Sequence, residues 1–145
     1  MYKPDEIDWN IISLLREEDE NNNALARKLG VSEGTVRQRI RRLKEADILR
    51  VRGLINPDIL EEQQLALIGI NVGPANKLES KAREIAALEH VLSASIVSGR
   101  YDVIAEVLVS SNKGLVDFLT HHLSTVEGLQ SSETFLTLKS FNRFV

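Results

Sequence analysis

The sequence predicts an α+β chain in two parts, a helical N-terminal third followed by a segment in which strands and helices alternate. Three observations carry this. Apolar residues recur at helical spacing through the first fifty positions. Beyond residue 64, β-branched and alternating runs are separated by amphipathic helical patterns. Between the two parts lies a short β-branched stretch closed by Pro57. A length of 145 residues suits one compact domain or two small ones.

In the first part, Ile7, Ile11, Ile12, Leu14 and Leu15 fall on a helix with Pro4 near its start and acids in its first turn. "ENNNA", residues 20–24, breaks that pattern, and an asparagine there caps a second short helix containing Leu25, Ala26 and Leu29. Gly30 follows at a position suited to left-handed backbone. Ser32 and Thr35 are two candidate caps for a third helix, whose apolar face is Val36, Ile40 and Leu43. "ILRVRGLINP", residues 48–57, reads as a strand or short ribbon leading into a linker to about Gln63. The expected domains are therefore residues 1–50, a hinge strand and linker over 51–63, and an α+β domain over 64–145.

In the second part the candidate strands are "LALIGINV" (65–72), "LSASIV" (92–97), "DVIAEVLV" (102–109) and "ETFLTLKSF" (133–141). One helix, with Leu78, Ala82, Ile85 and Ala86, joins the first two; another, with Leu115, Phe118, Leu119, Leu123 and Val126, joins the last two. The order βαββαβ describes a ferredoxin-like sandwich. "LEHVLSAS" from Leu88 and "VEGLQSSE" from Val126 align at an offset of 38 residues, as the helix-to-strand junctions of a duplicated unit would. Ala66, Ile68, Ile70 and Val72 make one face of the first strand apolar, and Leu65 and Leu67 the other. Ile104 and Leu108 do the same for the third strand. Two helices cover only one face of a four-stranded sheet, so the second face predicts a two-fold homodimer.

Composition narrows the chemistry. The absence of cysteine removes disulfides, thiolate metal sites and cysteine nucleophiles. There is no apolar run of the ~20 residues a bilayer requires, and "MYKPDEIDWN" lacks a signal-peptide layout, so the expected location is the cytoplasm. The net charge of −3 is unevenly spread. Residues 5–20 hold seven acids and one base, whereas residues 27–52 hold nine bases and three acids. Such a basic segment has to be judged locally, because phosphate senses the nearby field.

Ala26, Gly30 and Val36 have the spacing of a helix-turn-helix. A small residue lets the second helix approach the third, glycine permits the positive φ of the turn, and valine plugs the third helix into the core. At ~100° per residue, Gly34, Gln38, Arg41, Arg42 and Glu45 point away from that core, with Thr35, Arg37 and Arg39 at the flanks. A helix entering a major groove leads with its N-terminal residues. Glu33, Gly34, Thr35, Arg37 and Gln38 are thus candidates for base contacts. Arg41 suits bases or phosphates, and Arg42 and Lys44 suit phosphate or structural pairing. With the capping residue Ser32, the candidate DNA-binding set is Ser32, Glu33, Gly34, Thr35, Arg37, Gln38, Arg41 and Arg42.

In order along the chain, "DEIDWNIISLLREE", "LARKLGVSEGTVRQRIRRLKEADIL", "GLINP" and "VSGRYDVIAEV" resemble the Lrp/AsnC, or feast/famine, family of transcriptional regulators. The resemblance covers nearly all of the chain. It implies a winged-helix-like helix-turn-helix domain joined to a ferredoxin-like regulation (RAM) domain. It further implies dimerisation through the sheets, assembly to octamers or related rings, a double-stranded DNA operator as partner, and an amino-acid effector. "SGRYD" matches the family's ligand loop and nominates Ser98, Gly99, Arg100, Tyr101 and Asp102; "QSSETFLT" resembles the neighbouring subunit's contribution and nominates Ser132 and Thr134. Glycine allows close backbone approach to a carboxylate, while Asp102 either accepts from an ammonium or fixes the loop. Arg100 departs from the small or acidic residue often found there and leaves the effector's identity open.

Three other classes fit less well. No nucleophile elbow, phosphate-binding glycine loop or carboxylate pair marks an enzyme. His121 and His122, adjacent on a helix, project ~100° apart and do not chelate as an i, i+4 pair does, so neither a metal site nor a cofactor is expected. The aliphatic strands lack the exposed aromatics of an RNA-recognition module. A metabolite-sensing oligomer that acts through protein partners differs only in whether the basic helix touches DNA, and the salt dependence of DNA binding separates the two.

Overall fold

A computed structural model describes residues 2–17, 20–73 and 77–145. The chain forms two compact units, residues 1–53 and 54–145.

In the first unit, α1 (Glu6–Glu17), α2 (Asn22–Leu29) and α3 (Glu33–Glu45) follow the pattern of apolar residues. Ile11, Leu25, Ala26 and Val36 are buried together, with Ile7, Leu14, Leu15 and Ile40 packed around them. Each fully buried aliphatic side chain there contributes roughly 1.5–3 kcal/mol. Asn21 caps α2 by accepting from the Ala24 N–H, and Gly30, at φ 65°, closes it through its own N–H to the Ala26 carbonyl. Of the two candidate caps for α3, Ser32 is the one used: its Oγ accepts from the Thr35 N–H at 3.1 Å.

Residues 48–56 form no regular strand. The expected strand or ribbon there reduces to one pair, in which Ile55 and Val145 exchange reciprocal backbone hydrogen bonds. A β-branched run without a partner along its length has nowhere to place its backbone donors and acceptors except solvent.

The second unit contains β1 (Gln64–Val72), α4 (Leu78–Ala86), β2 (Val91–Ile96), β3 (Val103–Val109), α5 (Asn112–Asp117) and β4 (Leu129–Leu136). All strands pair antiparallel in the order β2-β3-β1-β4. Ala66, Ile68, Ile70 and Val72 of β1 and Val103, Ala105, Val107 and Val109 of β3 pack on Ala82 and Ile85 of α4 and on Phe118 and Leu123. The other sheet face carries Leu65, Leu67, Ile104 and Leu108, as alternation requires. Leu67 and Phe135, direct cross-strand partners, are both exposed within the single chain. Amid this apolar surface sits Glu106, only 8% exposed because Arg143 from the C-terminal tail pairs with it.

Two elements differ from expectation. β4 begins earlier and ends at Leu136, because β1 offers no partner beyond Ala66 other than the Leu65 carbonyl, which takes the Thr137 N–H. The second amphipathic helix is not one regular helix: α5 gives way to a π-helical turn at Phe118–His122 and a 3-10 turn at Leu123–Thr125. Its apolar pattern survives, but the changed winding re-aims the residues between.

The offset of 38 residues has a structural counterpart. His90 and Gly128 both adopt positive φ, 71° and 83°. Each carbonyl accepts a backbone N–H, from Leu108 and from Gly73 respectively.

Candidate functional site

The basic residues of α3 divide by what holds them. Arg39 turns inward. Its Nη1 donates to both Asp5 oxygens at 2.7 Å and to Asp8 Oδ1 at 2.9 Å. Asp8 is fully buried, and its other oxygen accepts from the Tyr2 hydroxyl at 2.6 Å and the Asp5 N–H at 3.1 Å. The Asp8 N–H in turn donates to Asp5 Oδ1, so the two aspartates form a reciprocal capping box at the start of α1. Hydrogen bonding from Arg39 holds the Asp5 carboxyl below its ordinary range. For Asp8 burial pushes the other way, but the bonds from Tyr2, Arg39 and the Asp5 N–H outweigh it and the net shift is downward. The Tyr2 hydroxyl is raised, chiefly by its bond to Asp8.

Outward-facing residues are arranged differently. Arg37 pairs with Glu33 one turn earlier, and Arg41 with Glu45 one turn later. The Arg37 pair lowers the Glu33 carboxyl and raises the guanidinium. Both pairs are solvent-exposed, so releasing either arginine to a stronger anionic partner costs little. Gln38, Arg42 and Gly34 are exposed, whereas Thr35 is half-buried. The Ser32 and Thr35 hydroxyls are 2.8 Å apart and occupied in the cap.

In the second unit, Gly99 lies at φ 140° with open space where a side chain would stand. Tyr101 lies over Gly69: a Cβ added to that glycine would meet the tyrosine ring at 2.6–2.8 Å. The Tyr101 hydroxyl donates to Glu133, which raises its pKa, and Arg100 reaches the same carboxylate at 3.6 Å. Of the two roles open to Asp102, the structure shows loop fixing: Oδ2 accepts from the Val72 N–H at 2.9 Å, while its backbone bonds Ile70 and Val97. Asp102→Ala should therefore speed amide exchange at Val72, and Asp102→Asn, which keeps an acceptor oxygen, should not. Amide hydrogen exchange by NMR reads this directly.

Ser132 and Thr134 do not meet this loop within the chain. They pair with Ile70 and Ile68, on the helix-covered face, whereas Glu133 pairs with Gly69 on the face that Tyr101 occupies. The residues sequence reasoning missed are thus Glu133, Gly69, Asp5 and Asp8. One signal was present: Asp8 shares the helical phase of Ile11 and Leu15, where a charge has to find a buried partner.

The geometry defines a helix-turn-helix unit followed by a four-stranded antiparallel α/β unit. Residues 4–50 match the family model described as winged helix-turn-helix DNA-binding. Residues 65–144 match the Lrp/AsnC ligand binding domain. An HTH-type transcriptional regulator of Pyrococcus furiosus is 36% identical over 132 residues, spanning 90% of this chain and 88% of that protein. The regulatory protein AsnC of Escherichia coli is 28% identical over 141 residues, 96% and 93% of the two chains. The solved structure of E. coli AsnC superposes with a TM-score of 0.65, covering 96% of this chain and 95% of that one. A Neisseria meningitidis transcriptional regulator in complex with L-Met shares the fold at 19% identity and a TM-score of 0.68, covering 97% and 94%. The chain belongs to the Lrp/AsnC family of DNA-binding transcriptional regulators, not to a family of enzymes. No helix among the described residues is long and apolar enough to cross a membrane.

Proposed function

We propose that this protein is a sequence-specific regulator that grips operator DNA as a homodimer and whose DNA binding or assembly responds to an amino acid. The observation that carries the DNA reading is the division of α3. Arg39 is committed to Asp5 and Asp8, while Arg37 and Arg41 project from the opposite side of the helix and Gln38 and Arg42 are exposed on the flank between. Glu33, Gly34, Arg37 and Gln38 then supply base contacts near the helix start, with Ser32 and Thr35 holding that start in place. Arg41 and Arg42 sit further along and serve phosphates. The exposed Leu67 and Phe135 support a dimer closed through the sheet, with two recognition helices ~34 Å, or a multiple of it, apart on the DNA. Further association to an octamer or related ring is the extension of that dimer. A cytoplasmic site of action follows from the DNA target.

Arg37→Ala with Gln38→Ala should relax operator preference, whereas Arg42→Ala should weaken operator and scrambled DNA alike and flatten the salt dependence by about one unit of slope. Fluorescence anisotropy on both duplexes across salt measures each effect. Equal losses on both duplexes for both variants would refute the division of labour.

For the effector, the loop Ser98–Asp102 supports an amino-acid site. Gly99 leaves backbone accessible, Arg100 and Glu133 offer opposite charges beside Tyr101, and Asp102 fixes the loop. Ser132 and Thr134 enter this reading only as a contribution from a neighbouring subunit. The L-Met complex of the Neisseria relative supports an amino acid as the ligand class. A calorimetric screen of the twenty amino acids that finds no binding would overturn it.

A further inference from the structure

Among the described residues, Glu89, His90 and His122 bring one ligand atom each to within 4.8 Å of one another. They come from two separate places in the fold. Glu89 and His90 form the junction between α4 and β2, and His122 ends the π-helical turn after α5. We propose that this cluster binds a divalent transition cation of the zinc class through two imidazoles and one carboxylate. Imidazole and carboxylate together suit such a cation, and three protein ligands leave a fourth position for water or an incoming group.

The backbone favours this reading at both ends. His90 holds φ at 71°, while the matching position of the duplicated junction is Gly128 at 83°. Histidine is among the few non-glycine residues enriched in that conformation, so the junction presents an imidazole where its counterpart has a glycine. The Leu108 N–H bonded to the His90 carbonyl fixes the junction. At the other end, His122 stacks on the buried Phe118 with centroids 5.9 Å apart and an interplanar angle of 11°. The π-helical turn and this stacking aim the ring at His90, whose ring lies edge-on at 5.8 Å. A π turn inside a helix commonly marks a functional position.

The reach is short. Tetrahedral bonds of about 2.0–2.1 Å set donors roughly 3.4 Å apart. Rotation of the exposed Glu89 and His90 side chains closes the remaining gap. Asp117 adds a second carboxylate, 3.8 Å from His122 Nε2, which favours a cation and can orient the ring. His121 pairs with Asp117 at 2.9 Å and is absent from the cluster, which makes it the internal control.

The test is titration of the full chain, stripped with a chelator, with Co2+ and then Zn2+. Visible d–d absorption of Co2+ reports coordination, and calorimetry reports Zn2+ stoichiometry. The expected result is one cation per chain. Affinity should fall by more than the roughly 10–100-fold typical of losing an outer-shell partner in each of Glu89→Gln, His90→Asn and His122→Gln. It should be retained in His121→Gln. Asparagine tolerates positive φ and Glu89 is exposed, so both of those variants keep the fold. Absence of saturable binding, or binding unchanged in Glu89→Gln and His90→Asn, would overturn the site.

Discussion

Arg39→Ala is expected to lower the stability of the N-terminal unit by about 3 kcal/mol, the largest effect of any single charge removal in α3. Breaking a buried ion pair from one side strands the other charge, and that penalty is typically 3–5 kcal/mol. The lower end applies because Arg39 itself is 22% exposed and Asp8 keeps its bonds from Tyr2 and the Asp5 N–H. By contrast, Arg41→Ala removes only an exposed pair and should change stability by less than about 1 kcal/mol. Trp9, the single tryptophan, stands on α1 beside this network, so denaturation followed by its fluorescence reports the correct unit. The double variant Asp8→Leu/Arg39→Met should recover much of the loss, since a buried pair can be exchanged for apolar packing more safely than it can be halved.

The same network sets an acid dependence. Asp5 and Asp8 titrate lower in the folded protein than in the unfolded chain. Their contribution is therefore complete above the unfolded value near 3.9 and disappears as pH falls through the lower folded values. In Arg39→Ala the Asp5 part of that dependence should shrink to what the backbone N–H bond from Asp8 sustains. Denaturation midpoints between about pH 2 and 6 would show a shallower slope than the wild-type chain.

Leu67→Arg should convert the proposed dimer to a monomer and reduce operator affinity on the order of 100-fold or more, because a second half-site no longer adds to the first. Leu67 stands on the sheet face opposite the helices, at 41% exposure, so a longer polar side chain is accommodated within one chain. Between two sheets packed face to face, the two arginines would be desolvated in the interface. Sedimentation velocity gives the particle size and circular dichroism confirms the fold. A dimer that persists in this variant would place the association surface elsewhere.

Much of the architecture was legible because its signals are local. The period of Ile7, Ile11 and Leu15, the glycine at position 30 and the Ser32 cap each act within a turn or two of backbone. The same holds for β1 and β3, whose alternation is set by residues one and two positions apart. The loop over residues 98–102 was legible as a motif, but which of its two roles Asp102 takes was not, since that depends on the Val72 N–H thirty residues away.

The period of the apolar residues is enough to specify the three N-terminal helices, the βαββαβ order and the outward position of Gln38 and Arg42, because it acts within a few residues of chain. The tertiary structure alone decided three things. It gave Arg39 to Asp5 and Asp8, because a charge's partner depends on how α1 crosses α3 and not on spacing along either. It put Glu133, not Ser132 or Thr134, beside Tyr101, because the face shown by an edge strand follows from its register against β1, and a slip of one residue reverses every side chain. Finally, it drew His122 toward His90 through a π-helical turn, because winding is set by packing on Phe118 and Leu123, which a pattern of apolar letters does not specify.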